Sequence, residues 1–379
     1  MVDIMSAKGQ AKVVLSNMQI FMIVIASTTA YGHFVYVHLA ILFAGRDAWI
    51  SLILACLLGL AIQYVQLTIA IGKNESLVEH ALSVFGKWVG GFISVIYILF
   101  FIVIVALTIK IVSDFMGVIY PTTPPGVFLL AEFTVGAWAV YSGIEVIGRS
   151  LQVLLPLMML LGIAASLLST PDKDFTQIYP IFNQGITPVA QGALAFVAML
   201  SELIGFGMIA PHAKNPEKLP KQSSMLVLVL LVLFLSPVTG PIMVFGETLA
   251  KNLSFPTYTE IQYIHITNIV ERLDIIGVLL WTIGSFFRIA MFMFAAVKGI
   301  SQLVGAKKET TFLIPVTLLC AAFSLSLMQS SREEVYRFLS SGYVVVAPVL
   351  GVGLPLLTGL VAWFKKALAN RQAKLRNAG

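Results

Sequence analysis

Glu202 and Arg288 are charged side chains that stand inside long apolar runs of the sequence. If these runs cross a membrane, a carboxylate at that depth is costly unless it is protonated or paired. An arginine cannot lose its proton in a protein, so it needs an anion or a water-filled cavity. We expect both side chains to face the interior of a helical bundle at the same depth. They then either pair directly, as a purely structural pair does, or hold the two ends of a zwitterionic ligand.

Two segments place small, hydroxyl-bearing and glycine residues near the middle of apolar runs. The first is Ser27–His33, which contains Tyr31, and the second is Ser201–Gly207, which contains Glu202. Such residues predict unwound helices whose free backbone groups face a ligand, as in transporters with a site at mid-membrane. The alternatives are a continuous first helix whose Gly32 permits close packing, and a Glu202 that hydrogen-bonds between helices as structural glue.

The elements that must position these residues follow from composition. Hydrophobic residues make up 58% of 379 positions and charged residues 11%, whereas about a quarter of the residues of a soluble domain are charged. The apolar runs reach or exceed the roughly 20 residues that cross a bilayer as a helix. We therefore predict an all-α integral membrane protein. Its ten transmembrane helices lie near 16–43, 48–70, 87–113, 125–145, 149–169, 187–210, 223–245, 274–298, 311–329 and 341–364.

An even number of spans puts both termini on one side of the membrane, and the distribution of Lys and Arg indicates which side. The terminal side carries Lys8, Lys12, Lys73, Lys87, Arg149, Lys214, Lys218, Lys221, Lys298, Lys307, Lys308, Lys365, Lys366, Arg371, Lys374 and Arg376. The opposite side carries Arg46, Lys173, Lys251, Arg272, Arg332 and Arg337. Because cytoplasmic loops are enriched in Lys and Arg, this asymmetry predicts that both termini are cytoplasmic.

The chain is expected to form a single polytopic domain over residues 1–379. The breaks predicted in spans 1 and 6 lie five spans apart, which favours a 5+5 inverted repeat with its site at mid-membrane. The halves cover about 1–170 and 171–364, and residues 365–379 form a cytoplasmic tail. This symmetry is inferred from span count and not from a residue-level repeat. Apolar positions at helical spacing also predict short interfacial helices within 246–273 and 74–85.

Other reactive residue types indicate little chemistry. Cys56 and Cys320 lie in apolar runs and are predicted to be buried free thiols. The spacing of five between His33 and His38 is unfavourable for a metal-binding pair. Gly351–Gly353 lacks the strand–turn–helix context of a phosphate loop and is predicted to serve packing. Since the sequence contains no Ser/His/Asp, Walker or zinc signature, we expect no catalysis and no cofactor.

A resemblance to a known family covers nearly the whole chain. It is carried by Phe255–Thr257, Val270–Asp274, Trp281, Phe286–Phe287, Ala48–Ile50, Gly86–Gly90 and Arg149. These residues resemble the pattern of spore germination receptor B subunits, a permease-like family of the amino acid–polyamine–organocation superfamily. The resemblance implies ten helices with the first and sixth broken, and a location in the spore inner membrane. It also implies a small nutrient germinant as ligand, and a receptor A subunit and a lipoprotein C subunit as partners.

The family's binding cavity, carried over by position, implies a set of ligand-binding residues. They are Tyr31, Gly32, Phe100, Ile104, Glu202, Arg288 and Phe292. Related members resembling an alanine receptor have a glycine-rich turn in the first span, where this chain has Tyr31, Gly32 and His33. They also tend to be uncharged where Glu202 and Arg288 stand. Our hypothesis is that these two charges form a complementary pair that lines the pocket, so that the ligand differs from a small apolar amino acid or displaces the pair.

Three functions compete for this sequence. The first is a receptor subunit that binds a nutrient such as an amino acid and relays a conformational change. The second is a proton- or sodium-coupled amino-acid transporter of the same fold, with Glu202 as the titrating group. The third is a passive ion or water channel. A fold does not decide between such functions, but the match in the connection after span 7 and in span 8 favours the receptor.

Overall fold

The computed structural model describes residues 14–71, 75–264 and 274–377, and most of this part of the chain is helical. Span 1 comprises Asn17–Tyr31, Gly32–Tyr36 and Val37–Ala44, and span 2 is Ala48–Ile71. The next three spans are Leu77–Ile119, Pro125–Ser142 and Ile144–Leu168. Span 6 comprises Ile186–Ser201, Glu202–Gly205 and Phe206–Ile209, and span 7 is Leu219–Asn252. Span 8 is Asp274–Val304, span 9 is Leu313–Met328, and span 10 runs from Arg332 to Asn377.

The number of spans agrees with the prediction from the sequence. Within the described ranges, nine helical stretches are long and apolar enough to cross a membrane, and the first of them includes both span 1 and span 2. The chain turns between these two spans at Gly45, whose φ of 55° lies in the left-handed region that favours glycine. The prediction of a ten-span all-α membrane protein is therefore confirmed.

Short helices accompany the spans at both faces of the bundle. We call the face at which span 1 begins the inner face, and the opposite face the outer face. Residues 77–85 form a short inner helix that is separated from the rest of span 3 at Gly86, where φ is 76°. Pro256–Tyr263, which we call the outer helix, lies between spans 7 and 8. Both were predicted, although residues 265–273 of the segment predicted to contain the outer helix fall outside the described residues.

The predicted tail continues the helix of span 10. The apolar part of this span was predicted to end at residue 364, and Leu354–Asn377 forms one helix beyond it. The location of the tail in the cytoplasm stays a prediction.

Both predicted helix breaks are present, and each is an altered form of helix. Gly32–Tyr36 in span 1 is π-helical, and its backbone begins at a right-handed φ of −58° and ψ of −43°. The break thus lies at the predicted position, but it is not unwound backbone. Glu202–Gly205 in span 6 is a 3-10 turn followed by one α-helical turn. Local π and 3-10 turns inside longer helices often mark functional positions.

The interior of the bundle is formed mainly by spans 1, 3, 6 and 8. Span 8 packs against spans 1 and 3, and span 2 packs against spans 6 and 7. Span 6 is almost entirely buried, whereas only a small part of spans 5 and 9 is buried within the bundle. The broken parts of spans 1 and 6 consequently meet in the most protected region of the molecule.

Candidate functional site

Arg288 is the centre of a buried polar cluster that joins four spans. Its side chain on span 8 is 2% exposed, and it donates hydrogen bonds to three different elements. Nε donates to the Thr108 hydroxyl (2.9 Å), Nη1 to the Ser27 carbonyl (3.0 Å), and Nη2 to Oε2 of Glu202 (2.8 Å). The two charges therefore face the interior, as expected, and they pair directly.

The carboxylate of Glu202 accepts hydrogen bonds from span 1 and from a fifth span, span 10. Its Oε1 accepts from the hydroxyl of Tyr36 at 2.7 Å and from the hydroxyl of Tyr343 at 2.5 Å. Span 6 presents this side chain at the first residue of its 3-10 turn. Charge-assisted hydrogen bonds of this kind are among the strongest in proteins. The cluster is neutral as a whole, and it connects spans 1, 3, 6, 8 and 10.

Tyr31 contributes an aromatic face and an unpartnered hydroxyl. The guanidinium carbon of Arg288 lies 4.2 Å from the centre of the Tyr31 ring and 5.1 Å from that of Phe292. An arginine over an aromatic face is stabilised by the ring quadrupole. The Tyr31 hydroxyl is buried and has no hydrogen-bond partner among the described residues. An unsatisfied buried hydroxyl of this kind is costly.

Two further predicted residues, Phe100 and Ile104 on span 3, reach the cluster indirectly. Phe100 stacks on the ring of Tyr343, with ring centres 6.3 Å apart and an interplanar angle of 25°. The carbonyl oxygen of Ile104 accepts a hydrogen bond from the Thr108 hydroxyl, and the two oxygens are 2.7 Å apart. Both residues therefore hold groups that contact the charged pair. The residues of the predicted set, other than Gly32, surround or support this pair.

Gly32 lies against span 7, away from the pair. A β-carbon at this position would stand 2.7 Å from Cε1 of Phe234. This close approach agrees with the alternative prediction that the glycine permits tight packing. The next residue, His33, also packs on the Phe234 ring, and its Nδ1 accepts a hydrogen bond from the indole of Trp281 at 3.1 Å.

Tyr36 and Tyr343 are site residues that were not predicted from the sequence. Tyr36 follows Tyr31 by five positions, and residues five apart do not share a face of a regular α-helix. In the π-helical segment they do come together, since its hydrogen bonds join residues five apart. The two rings are accordingly 5.9 Å apart. Tyr343 likewise ends a π-helical segment, Leu339–Tyr343. The sequence feature that could have identified Tyr343 is its position directly after small residues in span 10.

The outer side of the cluster is closed by aromatic rings. Five rings form this layer: Phe34 on span 1, Phe115 on span 3, Trp281 on span 8, Tyr258 on the outer helix and Phe255 directly before that helix. The ring centre of Phe115 lies 4.8 Å from the ring centre of Phe34, 5.2 Å from that of Phe255, 5.0 Å from that of Tyr258 and 5.6 Å from that of Trp281. All five side chains are buried. A ligand that reached the charged pair from the outer face would have to displace part of this aromatic cluster.

A separate cavity of about 700 Å³ lies beside the cluster, between spans 1, 5, 7 and 8 and below the outer helix. Span 1 contributes Thr29, Ala30 and His33 to the wall of this cavity, on the side of the span that faces away from the charged pair. Neither Glu202 nor Arg288 lines it. In this conformation the charged site is therefore filled by its own side chains, and the open space is next to it.

Comparison with known proteins places this sequence in a family. Residues 14–333 match the sequence profile of the Spore_permease family, described as spore germination protein. Spore germination protein XB of Bacillus anthracis is 27% identical, over 93% of this chain and 98% of its own length. Spore germination protein KB of Bacillus subtilis (strain 168) is also 27% identical, over 85% of this chain and 88% of its own length.

A solved structure confirms the architecture. The crystal structure of MhsT in complex with L-phenylalanine superimposes with a TM-score of 0.62 at 15% sequence identity. The superposition covers 90% of this chain and 89% of MhsT. The predicted transporter-type fold is thus confirmed. The match of residues 14–333 shows that this chain belongs to the Spore_permease family of spore germination proteins.

Proposed function

We propose that this chain is the germinant-binding membrane subunit of a spore germination receptor, and that its ligand is a small zwitterion such as an amino acid. The observation that carries the proposal is the buried Arg288–Glu202 pair, which lies where the breaks of spans 1 and 6 meet. The proposal includes a location in the spore inner membrane with cytoplasmic termini. A receptor A subunit and a lipoprotein C subunit are the proposed partners.

The chemistry of the pair favours a zwitterion over an ion. A bound amino acid can place its carboxylate at Arg288 and its ammonium group at Glu202, so each buried charge keeps an opposite partner. A singly charged ligand would leave one buried charge uncompensated, and this is strongly unfavourable. The unpartnered hydroxyl of Tyr31 adds one donor and one acceptor for the same ligand.

The direct contact between the two charges also suggests how binding could become a signal. Because their side chains fill the site, a ligand between them must separate spans 6 and 8 at this point. A ligand shifts a conformational equilibrium only by its differential affinity for the two states. Direct pairing is then the resting state and the ligand-separated pair is the activated state. Movement of these spans would be passed to the partner subunits.

A thermal-shift screen of the purified protein tests this proposal. We expect an amino acid to raise the unfolding temperature, because a ligand at 100 times its Kd stabilises a protein by about 2.7 kcal/mol. Amino acids enter the screen first, followed by sugars and nucleosides. The same ligand should give no shift with Arg288→Ala. If that variant fails to fold, the double variant Glu202→Gln/Arg288→Gln, which leaves no lone charge, takes its place. A ligand that stabilises the wild type and both variants equally binds elsewhere and contradicts the proposal.

A coupled amino-acid transporter is the second candidate, since the fold is shared with MhsT and Glu202 is a buried carboxylate. Reconstitution of the purified chain in liposomes distinguishes the two. Uptake of radiolabelled amino acid by this chain alone, driven by a proton or sodium gradient, would favour the transporter. Ligand binding without uptake, together with germination that requires the partner subunits, supports the receptor.

Tyr31→Phe is expected to separate stability from ligand binding. The substitution removes a buried hydroxyl that has no hydrogen-bond partner among the described residues, so the protein should be as stable as the wild type or slightly more stable. Ligand affinity should fall by about 5- to 10-fold, as for the loss of one hydrogen bond of about 1 kcal/mol. Isothermal titration and thermal unfolding measure the two effects.

Tyr36→Phe is the matched control for Tyr31→Phe. Its hydroxyl donates to Glu202 in the ligand-free protein, so its removal should lower stability by about 1–3 kcal/mol because the bond is made to a charged group. If Tyr31→Phe destabilises the protein as much as Tyr36→Phe does, the Tyr31 hydroxyl has a structural partner and is not reserved for a ligand.

A further inference from the structure

The cavity between spans 1, 5, 7 and 8 has mainly apolar walls, and the acidic side chain at its outer end is paired within the protein. Glu260 of the outer helix is the acidic residue on its wall. The Glu260 carboxylate already contacts Lys173 Nζ at 3.2 Å and accepts a hydrogen bond from the Ser169 hydroxyl at 2.8 Å. Burial raises the pKa of Glu260, while Lys173 and Ser169 act in the opposite direction. Since its charge is matched within the protein, the cavity presents mainly hydrocarbon to an occupant.

The cavity opens sideways between spans 5 and 7. The lining residues at this opening, Ile163 and Leu167 on span 5 and Met225 and Val232 on span 7, are all more than half exposed. Such apolar side chains on membrane-spanning helices face the hydrocarbon of the bilayer. Gly162, one residue before Ile163, widens the space, because a β-carbon built there has no heavy atom within 4 Å.

We propose that this cavity is a lipid site occupied by the acyl chain of a bilayer lipid that enters between spans 5 and 7. Its volume of about 700 Å³ lies within the range of pockets that hold small molecules, roughly 300–1,000 Å³. Water is a poor occupant, because apolar cavities stay dry. An empty cavity would leave its walls without dispersion contacts. The bilayer supplies hydrocarbon directly at the opening.

An acyl chain in this position would contact the broken part of span 1 from behind. Thr29 and Ala30 line the cavity and precede Tyr31, whose ring packs against Arg288. On the outer side the acyl chain would contact Trp281, which is hydrogen-bonded to His33. The lipid would therefore brace the first span in the conformation in which the charged pair is closed.

Fluorescence quenching by brominated lipid tests the acyl chain directly. The protein has five tryptophans. Of these, Trp281 lines the cavity although its side chain is only 3% exposed. A variant that keeps Trp281 and replaces the other four with Phe is reconstituted in phosphatidylcholine with brominated or unmodified acyl chains. Bromine quenches indole fluorescence only at close range. We expect a loss of Trp281 fluorescence close to that of a single-tryptophan variant that keeps Trp138, which is 68% exposed on span 4.

Filling the cavity should abolish this quenching. Gly162→Leu in the variant that keeps Trp281 adds a side chain to the open space and is expected to restore the unquenched fluorescence. Gly117→Leu is the matched control, because Gly117 also has no heavy atom within 4 Å of a built β-carbon but does not line the cavity. Equal thermal stability of the variants shows that each is folded. Absence of quenching would overturn the proposal and indicate water or a polar occupant. Quenching that Gly162→Leu leaves unchanged would also overturn it, because the brominated lipid would then reach Trp281 from outside the cavity.

Discussion

Arg288→Gln and Glu202→Gln are each expected to destabilise the protein by about 3–5 kcal/mol, because each removes one partner of a buried ion pair. The double variant should lose clearly less than the sum of the two, since it leaves no uncompensated charge. Residues in direct contact typically show coupling energies of about 0.5–3 kcal/mol. Thermal and chemical unfolding of the four proteins in lipid nanodiscs measures the coupling. Germination of spores that carry the same variants should show it as well.

The two single variants should also differ from each other. In Glu202→Gln, Arg288 keeps its charge because arginine does not lose its proton in a protein. In Arg288→Gln, the Glu202 carboxylate keeps the hydrogen bonds that it accepts from the hydroxyls of Tyr36 and Tyr343. We therefore expect Glu202→Gln to be the more damaging substitution.

An exposed pair of the same residue types is the control for this cycle. Arg149 and Glu145 are 2.5 Å apart, and their side chains are 69% and 41% exposed. Their replacement by Gln should change stability by no more than about 1 kcal/mol. If the stability losses caused by the substitutions at Glu202 and Arg288 simply add, the two charges do not interact. The hypothesis of a complementary pair in the pocket is then wrong.

The spans could be predicted from the sequence because a bilayer imposes a minimum length of apolar helix. Their ends were less predictable. Within a span, every residue must satisfy its backbone by helical hydrogen bonds, but beyond the apolar run a helix is free to continue or stop. The last span therefore extends through the basic tail to Asn377, and the short inner helix joins span 3 across Gly86.

The charged part of the site was predictable for a related reason. An ionisable side chain at mid-depth is costly enough in hydrocarbon that it indicates an interior position. Glu202 and Arg288 were found in this way, and the structure adds that they contact each other. Tyrosine carries no comparable cost, so Tyr36 and Tyr343 gave no signal of equal strength. Their orientation depends on π-helical turns, which shift the phase of a helix and which composition does not reveal.

Gly351→Ala is the second substitution for which a large effect is expected, because it acts on the backbone next to Glu202. Gly351 belongs to the π-helical segment Val349–Gly353 of span 10. A β-carbon at Gly351 would overlap the carbonyl oxygen of Ser201 and stand 2.7 Å from its carbonyl carbon. We expect a loss of stability of about 1–3 kcal/mol, as for overpacking of a close-packed core. The ligand-induced thermal shift should also be lost, since Ser201 directly precedes Glu202.

Gly353→Ala is a closely matched control, two residues away in the same π-helical segment. The nearest heavy atom to a β-carbon built at Gly353 is the carbonyl oxygen of Pro348, at 4.0 Å. This substitution should leave stability unchanged or raise it, because alanine favours a helix by up to about 1 kcal/mol over glycine. Equal effects of the two substitutions would show that spans 6 and 10 are not in contact at Ser201.

Ser201→Gly, added to Gly351→Ala, shows which part of Ser201 is responsible. The β-carbon of Ser201 lies 2.8 Å from the position that an alanine β-carbon would take at Gly351, but the carbonyl group of Ser201 lies closer. A side chain can be removed, whereas the carbonyl group is part of the helix and moves only with span 6. We therefore expect Ser201→Gly to restore little stability to Gly351→Ala. Full rescue would assign the contact to the serine side chain, and Gly351 would then not be limited by the backbone of span 6.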